Sequence, residues 1–100
     1  MWGAIAYNRQ ENKFGYSYGH VCEADAQARA IREAGLGSEV AISAENAWMA
    51  VATSATPAGK VLVGAGGSST REDAEIMAAN MCVVHGGVEY NMDVSIHTNG

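Results

Sequence analysis

An α+β fold, in which two strand-strand-helix-strand repeats form one mainly antiparallel sheet with two helices packed on it, is predicted by three features of the sequence. Trp2-Gly-Ala-Ile-Ala6 alternates residue types with period two, and Trp48-Met-Ala-Val-Ala52 repeats the pattern 46 residues later. Two alanine-rich segments of helical spacing, Cys22 to Ala34 and Thr70 to Cys82, are offset by 48, so that Asp25, Ala26 and Ala30 match Asp73, Ala74 and Ala78. Each then runs through a turn into a third strand. One unit alone is too small to cover its own sheet, so two are expected to complete a pseudo-twofold single domain over 1–100, repeat one about 1–45 and repeat two about 46–98.

The elements follow in order. After the first Trp strand, Asn8 to Lys13 is a polar turn, and Phe14-Gly-Tyr-Ser-Tyr18 returns as a strand with its three aromatics on one face. The first helix leads to the strand Glu39-Val-Ala-Ile42. After the second Trp strand, Thr56-Pro-Ala-Gly59 reads as a turn with Pro at its second position, and Lys60-Val-Leu-Val63 returns. Gly64-Ala-Gly-Gly67 then leads into the second helix, where Thr70-x-x-Asp73 resembles a capping box. A long connection from Val83 to Asn91 precedes the last strand, Asp93-Val-Ser-Ile96.

Composition restricts the core and the partners. Of 100 residues, 18 are alanine and 16 are Val, Ile or Leu, which predicts a thin core with closely approaching backbones. Eleven acids against six bases give a net charge of -5, which opposes nucleic acid and anionic membrane and favours a partner protein with a basic surface. No apolar run approaches the roughly 18 residues of a membrane span, and the N-terminus lacks a basic region followed by an apolar stretch. A cytoplasmic chain is expected, or a periplasmic or secreted one should Met1 replace a removed export signal. The spacing of the two cysteines resembles neither a zinc site nor a disulfide framework, so reduced thiols are expected.

Two segments offer catalytic or ligand-binding readings. Cys22 opens the first helix, where the dipole favours thiolate, and His20 stands two residues before it as a base or cation. Glu23 and Asp25 place negative charge in the same turn and oppose that activation, and comparison with Thr70 makes Cys22 a substitute for a capping hydroxyl. Gly64 to Gly67 has the look of a phosphate-cradling turn, but a third glycine would fall at Ser69 and no P-loop lysine follows, so close strand-to-helix approach explains the glycines better. His20, His85 and His97 are scattered without metal-ligand spacing. Glu72, Asp73 and Glu75 cluster where a helix dipole favours carboxylates. No catalytic residues, no cofactor and no metal are therefore expected, with Cys22 and His20 the weak catalytic candidates.

The combination of WGAIAY, a G-Y-S-Y-G strand, a helix with alanine at every second position and a second, shorter copy resembles the bacterial domain-of-unknown-function family 4189 over nearly the whole chain. The resemblance implies a small bacterial protein of a usually exported family, with cysteines after each helix, some members being associated with immunity against toxins injected by neighbouring bacteria. Ala34, Ser38 and Trp48 stand where family members tend to carry cysteine, and only Cys82 remains. A framework stripped this far argues against an oxidising compartment. The family supplies no catalytic residues.

Contact surfaces are the remaining candidates. Met77 and Met81 occupy the positions of Arg29 and Glu33 in the first helix, apolar where the other copy is charged. They read as an adaptable contact face, or as core covered by the Val83 to Asn91 connection. Phe14, Tyr16 and Tyr18 read as a protein-contact surface, or as the core beneath the first helix, where small alanines call for large partners; the latter is favoured. The expected function is a non-enzymatic protein-interaction module, a small acidic inhibitor or immunity-like protein. A homo-oligomeric structural protein is the alternative, and a thiol enzyme using Cys22 and His20 a weaker one.

Overall fold

A computed structural model describes residues 1–59, 61–84 and 90–100, which leaves Lys60, His85 and most of the connection before the last strand outside the described residues. The elements are β1 (Trp2–Asn8), β2 (Lys13–His20), α1 (Glu23–Ala34), β3 (Glu39–Glu45), β4 (Trp48–Ala55), β5 (Val61–Ser68), α2 (Arg71–Val84) and β6 (Tyr90–His97). The α+β class and the twice-written strand-strand-helix-strand unit are as expected. The strands form two sheets, not one. Each unit closes its own antiparallel three-stranded sheet, ordered β2-β1-β3 and β5-β4-β6, with the Trp strand in the centre.

The alternation of β1 and β4 explains the two sheets. On one side of β1, Ala4 and Ala6 meet Ala26, Ala30 and Ala34 of α1; on β4, Ala50 and Ala52 meet Ala74, Ala78 and Cys82 of α2. On the other side, Ile5 of β1 packs with Met49 and Val51 of β4, and Phe14, Ile42, Val63, Val94 and Ile96 close around them. Both faces of each central strand are thus apolar, so each sheet needs a helix on its outside and the other sheet on its inside. The layers run α1, sheet, sheet, α2, over extents of 41 × 30 × 14 Å.

The small residues set how close the layers come. A Cβ on Gly15 would lie 2.2 Å from Ala34 N and 2.3 Å from Ala30 O, so α1 rests directly on the β2 backbone. A Cβ on Gly64 would lie 2.3 Å from Ala78 O, and one on Gly66 2.5 Å from Ala74 O, which puts α2 on β5 in the same way. Gly64 to Gly67 therefore lies within a strand and not in a turn before the helix. Ser17 Oγ donates to Ala26 O at 2.6 Å, tying β2 to α1.

This contact also fixes the aromatic face. Gly15 and Ser17 point to α1, so Phe14, Tyr16 and Tyr18, alternating with them, point away from it. The expectation that these rings form the core beneath the first helix is overturned: the helix sits too close for any large side chain, and alanine packs on glycine instead.

The repeats agree down to their irregularities. Ile5 pairs with Ile42 but Ala6 with Val40, and Val51 pairs with Val94 but Ala52 with Met92, so both third strands carry a bulge at the same place, Ala41 and Asp93. Ile42 thus corresponds to Val94. β2 carries a further bulge near Gly19 (φ +72°) where β5 is regular. A β4–β5 connection three residues longer than that of the first hairpin raises the offset from 46 on the central strands to 49 on the edge strands (Gly15 to Gly64), and the extra residue of β2 brings it back to the helix offset of 48.

Candidate functional site

Both helices begin at one end of the sandwich. His20 and Glu45 pair with Trp2, Ser68 and His97 pair with Trp48, and the short Asn46-Ala47 link carries the chain from one sheet to the other. The end is tied by backbone bonds from Asn46 N to Met1 O (3.0 Å), Thr98 N to Ala47 O (2.9 Å) and Gly19 N to Thr98 O (2.7 Å). Buried Thr98 adds a side-chain bond, its Oγ1 accepting from Ala47 N at 3.0 Å.

A groove of about 470 Å³ opens beside this junction, lined by Tyr16, Tyr18, Trp48, Ile96, His97 and Gly100. It is the wedge between edge strands β2 and β6. The sheets approach most closely at the other pair of edges, β3 and β5, so the aromatic face of β2 is not fully covered. Tyr16 is 48% and Tyr18 54% exposed. Trp48 meets His97 edge-on, ring centroids 5.3 Å apart, and His97 Nδ1 accepts from Asn99 N at 3.1 Å. Phe14, the third ring of the face, is more buried and stacks on Tyr7 at 4.8 Å. The far side of Tyr16 and Tyr18 is bordered by the Arg29–Glu33 ion pair, 2.9 Å long.

The groove is fixed apolar surface with phenol, indole and imidazole edges around it, which suits contact with a protein side chain. Carboxylates collect at the same end: Glu23 and Asp25 open α1, Glu72 and Asp73 open α2, Glu75 follows one turn on, and Glu45 ends β3. Among the bases at this end, Arg71 bridges Glu75 at 3.3 Å and lies 6.0 Å from the Trp48 ring centre, and the Met1 ammonium donates to Asn46 Oδ1 at 2.6 Å.

The remaining candidates lie apart from the groove. Met77 and Met81 are 47% and 40% exposed on α2. Met81 overhangs a second groove, about 360 Å³, between edge strands β3 and β5 with Tyr7, Arg9, Val40 and Val63 in its lining. Cys22 is exposed, with extended backbone (φ -130°, ψ 155°) at the N-cap of α1 and no side-chain capping bond. In the other repeat Thr70 Oγ1 accepts from Asp73 N at 3.2 Å, as a cap does. No hydrogen bond joins Cys22 to His20 among the described residues, where there is also no group of three or more His, Cys, Asp and Glu arranged to hold a metal. Burial pushes the Cys82 thiol up from its ordinary range, partly offset by a backbone hydrogen bond from Gly64, with the Asp93 charge adding to the rise.

Sequence reasoning singled out Tyr16 and Tyr18 but missed Trp48, Ile96, His97 and Gly100, because they come from the other repeat. The available signal was the pairing of a Trp and a His at the ends of adjacent strands.

No helix among the described residues is long and apolar enough to cross a membrane. No curated protein and no solved structure matches the chain. The family model described as Domain of unknown function (DUF4189) matches residues 2–94, nearly the whole length, and so the chain belongs to that family.

Proposed function

We propose that the protein is a non-enzymatic interaction module that binds a partner protein bearing a basic surface, through the groove of Tyr16, Tyr18, Trp48 and His97. The observation that carries this reading is the coincidence, at one end of the molecule, of half-exposed aromatic side chains on a rigid sheet and carboxylates at the starts of both helices. Tyr and Trp bury large area with little loss of rotamer freedom, which is why they dominate binding hot spots. The carboxylates steer a cationic partner toward that end. A small acidic inhibitor or immunity-like protein is the form of module this fits, by occlusion of a partner's basic surface.

Affinity capture from the source organism, with wild type and the Tyr16→Ala/Tyr18→Ala variant run in parallel, tests the reading. A basic protein recovered at about one-to-one with wild type and lost with the variant supports it. Equal recovery by both, or no stoichiometric protein with either, contradicts it.

A further inference from the structure

We propose that a second copy of this chain docks on the free edge of β5, the two β5 strands pairing antiparallel across a twofold axis and Met77 and Met81 of each α2 packing across the same interface. Two three-stranded sheets leave four edges, and three of them are blunted. β2 carries the bulge near Gly19 and a lysine at its start, β3 the bulge at Ala41 with Glu39 and Glu45 at its ends, and β6 the bulge at Asp93, a charge within the strand. β5, Val61-Leu-Val-Gly-Ala-Gly-Gly-Ser68, has none of these: it pairs with β4 in unbroken register and carries no charge, proline or bulge.

The helix above this edge differs from its counterpart in the same sense. On α1, Arg29 and Glu33 form an exposed ion pair beside β2. The equivalent Met77 and Met81 lie beside β5, Met77 against Gly66 and Met81 at the rim of the groove that Val63 and Ala65 also line. Among the described residues, an edge that Arg9 meets at Val61 O and two half-exposed methionines thus share one side of the molecule.

The charge distribution selects a second copy as the occupant. The chain carries -5, yet β5, Met77 and Met81 contribute no charge, and the nearby Arg9 is engaged with Val61 O at 3.1 Å and the Tyr7 ring. Glu39 in the adjoining groove and Asp73 one turn before Met77 lie at the margin of this surface and not on β5 or the methionines, so two like-charged copies meet over an uncharged strip, and a basic partner finds less to pair with here than at the carboxylate-rich end. The size suffices: an eight-residue edge is about 26 Å long and the layers from α2 to the opposite sheet span about 20 Å, on the order of 1,000 Å² for both partners, the lower bound for a specific interface. Methionine adapts its shape to a matching face.

Light scattering from micromolar to near-millimolar protein, with hydrogen exchange at the upper end, tests this. The expected mass is twice the 10.4 kDa of the chain, falling to that of one chain in Met77→Glu/Met81→Glu, whose substitutions lie on exposed helix surface. The amides of β5 are expected to exchange at least tenfold faster in that variant while those of β4 keep their protection. Tyr18→Ala, at the opposite edges, should leave the mass of the dimer unchanged, which separates this interface from the partner-binding groove. A wild type that stays at 10.4 kDa throughout, a dimer that survives the double substitution, or a dimer whose β5 amides exchange as fast as the monomer's overturns the proposal.

Discussion

The two halves of this molecule share a backbone and differ in what they expose. Both place a Trp at the start of the central strand, alanines between that strand and the helix, glycine where helix and edge strand touch, and a bulge in the third strand. The first half exposes tyrosines on its edge strand and an ion pair on its helix; the second has a plain aliphatic and glycine edge and methionines. The shared features lie at contacts of almost no tolerance. The differences lie where side chains meet solvent, and there the halves have become different surfaces.

The largest expected effects fall on the shared contacts. Gly15→Ala and Gly64→Ala each drive a methyl into helix backbone, and each should lower the unfolding free energy by about 3 kcal/mol, read from the shift of the urea midpoint. Gly67→Ala is the control: its Cβ meets the movable Ile42 Cδ1 at 3.1 Å and should change stability by less than about 1 kcal/mol. Equal losses at all three would break the account of helix-to-strand closeness.

Next is the place where one half has Cys82 and the other Ala34. The Cys82 thiol is fully buried and donates to Ala52 O at 3.3 Å, so Cys82→Ala should cost about 1–2 kcal/mol. Because its folded pKa lies above its unfolded value, the folded state holds its proton longer. Its contribution is therefore complete below about pH 9 and is lost as pH rises beyond it. Unfolding titrations from pH 7 to 10 should show this alkaline decline in wild type and a smaller one in Cys82→Ala. A thiol reagent should label Cys22 at once and Cys82 only on unfolding.

The caps give a smaller difference. Thr70→Ala removes the bond to Asp73 N and should cost about 1 kcal/mol, whereas Cys22→Thr supplies a hydroxyl where none now caps α1 and should gain about 0.5 kcal/mol. The surface pair is smallest: Arg29→Met with Glu33→Met, making α1 resemble α2, should change stability by no more than about 0.5 kcal/mol, because the ion pair is exposed.

The repeat, the helices and the helix-facing alanines were legible in the sequence because period and offset are local properties. The second sheet was not. It follows from both faces of Trp2 to Asn8 being apolar, and a short strand of alanine and isoleucine shows that only weakly. The aromatic face was misread for a physical reason: small alanines suggested large partners, but the glycines at 15, 64 and 66 let the backbones close the gap themselves. The groove joins Tyr16 and Tyr18 to residues about thirty to eighty positions away, which no local pattern reveals.

The proposed division, in which the tyrosine edge of the first half binds the partner and the methionine edge of the second does not, is read most directly by calorimetric titration with the basic protein that affinity capture is expected to recover. Tyr18→Ala should weaken binding at least tenfold, about 1.4 kcal/mol, and Met77→Glu/Met81→Glu should leave it within twofold. Unchanged affinity in Tyr18→Ala, or a larger loss in the methionine variant, would contradict it.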